Sequence, residues 1–348
     1  MKCLLLEINC ILRDKMASRK SGHKQNQSES PIELVQIEGL AVLKIIKHCH
    51  EEGAGNMEVA QGVLLGLVQD TKLEVTNCFP FPNRNDEYLT EEAFQLKMMR
   101  NLRKLNVDHL HVGWYQSTQQ GNFLSPQLLE SQYSYQTSID ESVVVIFNPT
   151  KTGRGFLSIK AYRLTKAALD LYKDGDFSTN ALREKGVGFN KLCDEIPVVI
   201  RNSHLANALL LELESKIPKE QYHQFYDLGT TPVLQKHLRK VMQSVDELCQ
   251  ESNKFNSYQK MVYKVQQARM QATQRLPADN EQRRAEGQSQ LTEEDVNRQY
   301  KMPIPPPRLE PMITSGHVEN SSQQISEFAS QALGKLFITE ALHEATKN

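Results

Sequence analysis

No two of the six cysteines, Cys3, Cys10, Cys49, Cys78, Cys193 and Cys249, form a CxxC pair, so the chain offers neither a disulfide framework nor a thiolate metal site. Charge of one sign is missing as well. The 41 lysines and arginines are balanced by 42 aspartates and glutamates, and a net charge of −1 draws the protein globally toward neither nucleic acid nor membrane. Long apolar runs are absent. Cys3–Leu6 is broken by Glu7 and Asn9 well short of a signal-peptide core, and nothing approaches the ~20 residues of a membrane span. There is no G-x-S-x-G nucleophile elbow and no glycine-rich phosphate loop; Gly153-Arg154-Gly155 reads as a turn between strands. These absences point to a protein of the reducing cytoplasm with no cofactor signature.

What is present divides unevenly. Residues 1–30 are Lys-, Ser- and Gln-rich from Arg13 onward and read as a disordered tail, with Met16-Ala17-Ser18 resembling an ordinary start of translation. Residues 31–200 alternate strands and helices. Strands are expected at Glu33–Ile37, Gln61–Leu67, Lys72–Phe79, around His111–Tyr115, and at Ser142–Phe147, Gly155–Leu164 and Glu195–Ile200. Helices are expected over Gly39–Glu52, from Thr90 with Phe94, Met98 and Leu102 on one face, and over Ser125–Tyr135. That face of the Phe94 helix either packs on its own sheet or, with Met99, meets a second domain.

From residue 201 the pattern is helical, and the extension runs to 265. Leu205, Leu209 and Leu213 form a stripe. Leu234, Leu238, Val241, Val245, Leu248, Ser252, Phe255, Gln259 and Val262 follow heptad steps. Residues 266–321 read as a Gln/Arg-rich and Pro-rich linker, polyproline-like over Met302–Pro311, with 266–290 either a solvated helix or disordered. A final helix over 322–348 carries Ile325, Phe328, Leu333, Leu336 and Phe337 on a wide apolar face that needs a cover. The linker predicts that this helix stands apart from the α/β core. The residues expected to bind a partner in a helical bundle are Leu238, Val245, Phe255, Ile325, Phe328, Leu333, Leu336 and Phe337.

Two stretches carry possible chemistry. Asp108-His109-Leu110-His111 offers two histidines on one strand face beside a carboxylate, a conceivable zinc arrangement whose bland reading is core or sheet-surface histidines. Gly113-Trp114-Tyr115-Gln116-Ser117-Thr118 is a strand running into a polar loop, with Gln116 and Thr118 on one face at the mouth of the sheet. The basic runs Arg13–Lys24 and Arg269–Arg284 lack interleaved aromatics and read as solvated; direct RNA contact stays open.

The Gly-Trp-Tyr stretch resembles the MPN domain family, whose metalloprotease members continue into His-x-His and then Ser-x-x-Asp, with a preceding Glu as general base. The resemblance puts Val59 at the Glu, Gln116 and Thr118 at the histidines and, with a gap at Ser125, Leu128 at the Asp. It therefore implies the catalytically inactive branch, with no catalytic, cofactor-binding or metal-binding residue. Further stretches, including AVLKIIKH, QGVLLGL, TNCFPFP, DHLHVGWYQST, LSIKAYRLT, EIPVVIRNSHL and LGKLF, are similar to MPN subunits of eukaryotic translation initiation factor 3 over about residues 31–348, with residues 1–15 outside the likeness. That family implies an α/β MPN domain with a mixed β-sheet flanked by helices, followed by a C-terminal α-helical extension. It implies a non-catalytic scaffold partnered by other subunits of the factor, among them a second MPN subunit and PCI-domain subunits, and by the small ribosomal subunit through the complex. The alternatives are a zinc-dependent deubiquitinating isopeptidase, using ligands such as His109 and His111, and an MPN scaffold of the proteasome lid or signalosome.

Overall fold

A computed structural model describes residues 32–54, 59–81, 91–118, 121–152, 157–216, 231–285, 287, 289 and 292–347. The expected tail, the start at Met16 and the Gly153–Gly155 turn lie outside the described residues.

Eight strands make one mixed sheet: β1 Leu34–Glu38, β2 Gln61–Gln69, β3 Lys72–Pro80, β4 His111–Ser117, β5 Val143–Phe147, β6 Ile159–Leu164, β7 Cys193–Ile196 and β8 Val198–Arg201. Their order is β7-β6-β5-β4-β2-β3-β1-β8. β1 runs parallel to β3 and β8, and β4 parallel to β5, while the other neighbours are antiparallel. The single strand expected at Glu195–Ile200 is two. Pro197 has no N–H to give a ladder, so pairing stops there. Because β7 and β8 lie at opposite ends of the order with one residue between them, the sheet curls until its two edges meet.

Apolar residues cover both faces of this curved sheet. On one side α1 (Gly39–Ala54) sets Ala41, Val42, Ile45 and Cys49 against Val35, Ile37, Leu64, Val75, Tyr115 and Val145, all buried. On the other, α2 (Glu91–Lys104) lays Phe94, Met98 and Leu102 on Val63, Leu65 and Phe79. Phe94, Met98 and Leu102 thus pack on their own sheet, as one of the two readings of that face has it. Beside α2, α3 (Pro126–Ser138) places Leu128 against Trp114, Val144 and Ile146. A one-turn α4 (Pro149–Thr152) fills the expected turn after β5. Then α5 (Lys166–Asp174), α6 (Thr179–Glu184) and a 3-10 turn at Phe189–Lys191 build a second apolar layer around Leu129, Leu171 and Leu192.

Among the described residues, three helices and a short fourth follow the sheet. Ser203 caps α7 (His204–Lys216), its hydroxyl accepting from Ala206 N–H at 3.2 Å. α8 (Thr231–Ala285) is one continuous helix of 55 residues, roughly 80 Å long at 1.5 Å per residue. Of the two readings left open for residues 266–290, the helix holds through Ala285, as glutamine and arginine are good helix formers. α9 (Glu293–Gln299) opens on a capping box from Thr292 to Asp295 and buries Val296. α10 runs from Leu309 to Lys347, starting thirteen residues before the expected Ser322. Pro311 lies in the first turn, where a missing N–H costs nothing, so it does not mark the end of a linker.

The expected isolation of the last helix is corrected. Leu309 and Ile313 are buried in the same layer as Leu124, Leu129 and Leu171, and Arg308 N–H donates to Phe177 O at 2.9 Å. α10 then runs antiparallel to α8. Arg308 sits 4.3 Å over the Phe255 ring, Glu310 is near Lys254, and His317 lies between Lys240 and Glu247.

Candidate functional site

β4 ends in the middle of the sheet, between β2 and β5, and its last residues lie at the carboxyl ends of the parallel pair β4–β5, where α/β sheets commonly leave a crevice. Gln116 is paired in register with Gln61 on one side and Ile146 on the other. Gln61 Nε2 donates to Gln116 Oε1 at 3.0 Å. Ser117, facing the opposite way, accepts from Ala60 N–H at 2.8 Å, and Thr118 N–H donates to Phe147 O at 2.8 Å. Gln116, Ser117 and Thr118 are all buried. Ser125 caps α3, its hydroxyl accepting from Leu128 N–H at 3.1 Å, and that turn delivers the Leu128 side chain to Trp114, Val144 and Ile146. Val59 precedes β2 and is 39 % exposed. The crevice thus presents an amide already engaged, a hydroxyl and hydrocarbon, where a tetrahedral zinc site asks for imidazole, thiolate or carboxylate.

The Asp108–His111 stretch does not share one strand face, because the strand starts only at His111. His109 Nδ1 lies 3.3 Å from Val107 O, and Asp108 accepts from Thr76 Oγ1 at 2.7 Å. The register of β4 on β2 skips Val112, so Val112 joins Tyr115 on the α1 side while His111 and Trp114 both reach Tyr135 on the other. His111 is fully enclosed, its Nε2–H 2.8 Å from Gly113 O, and burial pulls its pKa from 6.5 to about 4. It is a neutral core histidine. Among the described residues no group of three His, Cys, Asp or Glu side chains is placed to hold a metal ion.

A buried polar chain that sequence reading missed supports this region. Trp114 Nε1–H donates to Gln132 Oε1 at 2.8 Å, Gln132 Nε2 donates to Gln136 Oε1 and to Ser142 O at 3.3 Å each, and Gln136 bonds both backbone groups of Leu164 at 3.1 Å. The signal available was two glutamines four apart on a helix whose other contacts are apolar.

The residues expected to bind partners fall in two groups. Phe255, Ile325 and Phe328 are half-buried, Phe255 beneath Arg308. Leu333, Leu336 and Phe337 are exposed, with Ile338 and Leu342 beside them. The seam of α8 that its own chain covers is offset by one residue from the expected heptad. Leu234, Val241, Leu248, Phe255 and Val262 belong to it, but the alternate positions are His237, Ser244, Glu251 and Tyr258. Leu238 and Val245 stay on the exposed side with Met242. The reason lies in α10, which meets this seam with small and polar residues such as the buried Ser321. On α7, Leu205, Leu209 and Leu213 are all exposed.

The curled mixed sheet with α1 on one face and α2 and α3 on the other is an MPN/JAB domain, followed by a helical C-terminal region. Residues 30–141 match the family described as JAB1/Mov34/MPN/PAD-1 ubiquitin protease. Residues 152–348 match the family described as the C-terminal region of eIF3h. Among curated relatives, the H subunit of eukaryotic translation initiation factor 3 from Bombyx mori is 53% identical over 331 residues, covering 95% of this chain and 98% of the relative. The proteins of the same name from Culex quinquefasciatus and Aedes aegypti are each 51% identical, covering 96% of this chain and 99% of their own length. The chain belongs to the eIF3h family, the H subunits of eukaryotic translation initiation factor 3, and its role is in the initiation of translation. The isopeptidase and the lid or signalosome scaffold are not favoured by these relatives.

Proposed function

We propose that this protein is a non-catalytic scaffold subunit of the translation initiation factor 3 complex, working in the cytoplasm at the small ribosomal subunit. The observation that carries the reading is the apolar surface of the long helices. Leu333, Leu336, Phe337, Ile338 and Leu342 lie exposed along the last turns of α10, and Gly334 has open space around it. The antiparallel register with α8 brings Thr231, the first residue of α8, to about the level of Leu333, so among the described residues no helix of the same chain runs alongside the turns beyond. Each such side chain contributes roughly 1.5–3 kcal/mol when fully buried. Helices of PCI-domain subunits and of a second MPN subunit are the partners that suit these surfaces, with Leu238 and Val245 of α8 and the α7 stripe as further contacts. The eight expected partner residues stand as this proposal, with Phe255 contributing through Arg308 rather than directly.

Support for a scaffold without isopeptidase activity comes from the crevice. By the MPN likeness, Val59, Gln116, Thr118 and Leu128 stand where a general base and three ligands would be needed.

Removal of residues 334–348 tests the reading, since it deletes exposed apolar turns and leaves Leu309, Ile313 and the α8 seam in place. The truncated chain is expected to unfold thermally like the full chain yet to lose most of its co-purification with the other subunits. Recovery of the complex at the full-chain level would overturn it.

A further inference from the structure

In an open α/β sheet the crevice outside the carboxyl ends of neighbouring parallel strands is the usual ligand side. Here those strands are β4 and β5, ending at Ser117 and Phe147. Residues 121–125 and 148–152, on the segments that leave the two strand ends, are both held by one stretch of α10. His317 Nε2 lies 2.6 Å from Leu124 O. Asn122 Nδ2 donates to Ser321 Oγ at 2.7 Å. Gln324 lies so close to Gly121 that a Cβ there would sit 1.8 Å from its Nε2, and Gly121 has a φ of +73° besides. Lys151 pairs with Glu327 at 3.1 Å. Steps of three and four join Leu309, Ile313, Gly316, His317, Ser321, Gln324 and Glu327 into one helix face. At Gly316 the helix approaches the Phe189 ring so closely that a Cβ would lie 2.1 Å from Cδ2.

We propose that residues 309–327 of α10 form an intrachain clasp that closes the crevice at the carboxyl ends of β4 and β5 and holds residues 121–125 in place. The segments that leave the two strand ends are then covered by the protein's own helix. The same rod carries its exposed apolar turns beyond the clasp, so one helix closes the domain with its first half and presents a surface with its second. The clasp is built from contacts within this chain and stands whether or not the distal turns meet the proposed partners.

Amide hydrogen exchange on the full chain tests the clasp. Gly316→Leu places a side chain against Phe189 and is expected to raise exchange by at least tenfold in 309–321 and in 121–125 together, leaving the strand centres Val63–Leu65 and Val143–Val145 protected. Gly316→Ala combined with Phe189→Ala removes the colliding ring and is expected to restore most of the protection in both segments. Loss of protection in α10 with 121–125 unchanged overturns the proposal. So does unchanged exchange of α10 in Gly316→Leu, because the close approach then does not seat the helix. If the strand centres open too, the helix is part of the core and not a separable clasp, and the proposal also fails. His317→Ala gives a second reading that requires no new bulk, with faster exchange at 121–125 expected and no change overturning it.

Discussion

The crevice of the MPN domain and the outer turns of α10 treat their side chains in opposite ways. In the crevice, Gln116, Thr118 and Leu128 are buried, and the amide of Gln116 is engaged by Gln61. On the outer turns, Leu336 and Phe337 are 50% and 69% exposed. A folded chain places polar groups inside only with partners and leaves large contiguous apolar surface outside only where something else covers it. The difference teaches where the work has moved. The place to which the MPN likeness assigns metalloprotease chemistry is packed shut, and the surface left unfinished belongs to the helices.

Matched leucine truncations give the sharpest version of that comparison and the largest expected effect. Leu129, on α3 and fully buried among Leu124, Leu171 and Ile313, should cost about 2–5 kcal/mol on Leu129→Ala. Leu336→Ala should change the stability of the isolated chain by no more than about 0.5 kcal/mol, because there is little burial to lose. In the assembled complex the order of importance should reverse, with Leu336→Ala weakening incorporation and the folded fraction of Leu129→Ala incorporating normally. Urea unfolding and co-purification of the two variants check both halves. Equal destabilisation of the isolated chain by both would break the contrast.

Much of this was legible in the residues, and the failures have physical causes. The run Gln61–Leu67 announced a central strand, and the β-branched Val143–Val145 announced a strand, because a strand buried on both faces must be apolar throughout. Gln116 and Thr118 were expected together at the mouth of the sheet through the alternation of the strand end, and both are buried. The skipped Val112 was not, since a bulge inverts alternation and leaves no mark in composition. Pro197 did carry a mark, and the break between β7 and β8 follows from its missing N–H. The early start of α10 was hidden because Leu309–Ser321 is weakly periodic on its own. Its helix is held by Leu309 and Ile313 in a layer supplied by distant residues such as Leu124 and Leu171. The α8 seam was misplaced by one residue because its cover is polar, and an apolar heptad search selects Leu238 over His237.

His111 gives an effect of similar kind but confined to a pH window. In the native protein burial keeps the ring neutral down to about 4, whereas in the unfolded chain it takes up a proton below its ordinary 6.5. Between those values the unfolded state binds the extra proton, so stability falls as pH falls, by about 1.4 kcal/mol per pH unit and roughly 3 kcal/mol in all. Above 6.5 the full stability is present, and below about 4 no more is lost on this account. His48 and His317 are also shifted downward, chiefly by burial, and add to the slope. His111→Asn isolates this contribution, because the variant should be less stable at neutral pH but show a shallower decline on acidification. Parallel slopes for the two proteins would mean that His111 is not the neutral core residue described.

The smallest expected effect is no effect. Gln116→His with Thr118→His writes two imidazoles into the places that the MPN likeness assigns to ligands, and the double variant should acquire no zinc-dependent isopeptidase activity. A catalytic zinc needs three protein donors and an open fourth position. Leu128, buried among Trp114, Val144 and Ile146, would still stand at the third position, and its hydrocarbon donates nothing. Position 118 is only 4% exposed, so an imidazole there must displace its neighbours before it can turn toward a metal. Val59 cannot take a proton from a bound water, and the assistance it withholds is typically worth about 10²–10⁴-fold. Elemental analysis of the purified variant, together with cleavage of a ubiquitin-linked substrate with and without chelator, is the measurement. Chelator-sensitive cleavage would show that two residues suffice to reopen the crevice and would erase the contrast with the outer helix. The expected outcome is a folded, inactive protein whose incorporation into the complex matches that of the unaltered chain, because neither position lies on the helices proposed to meet its partners.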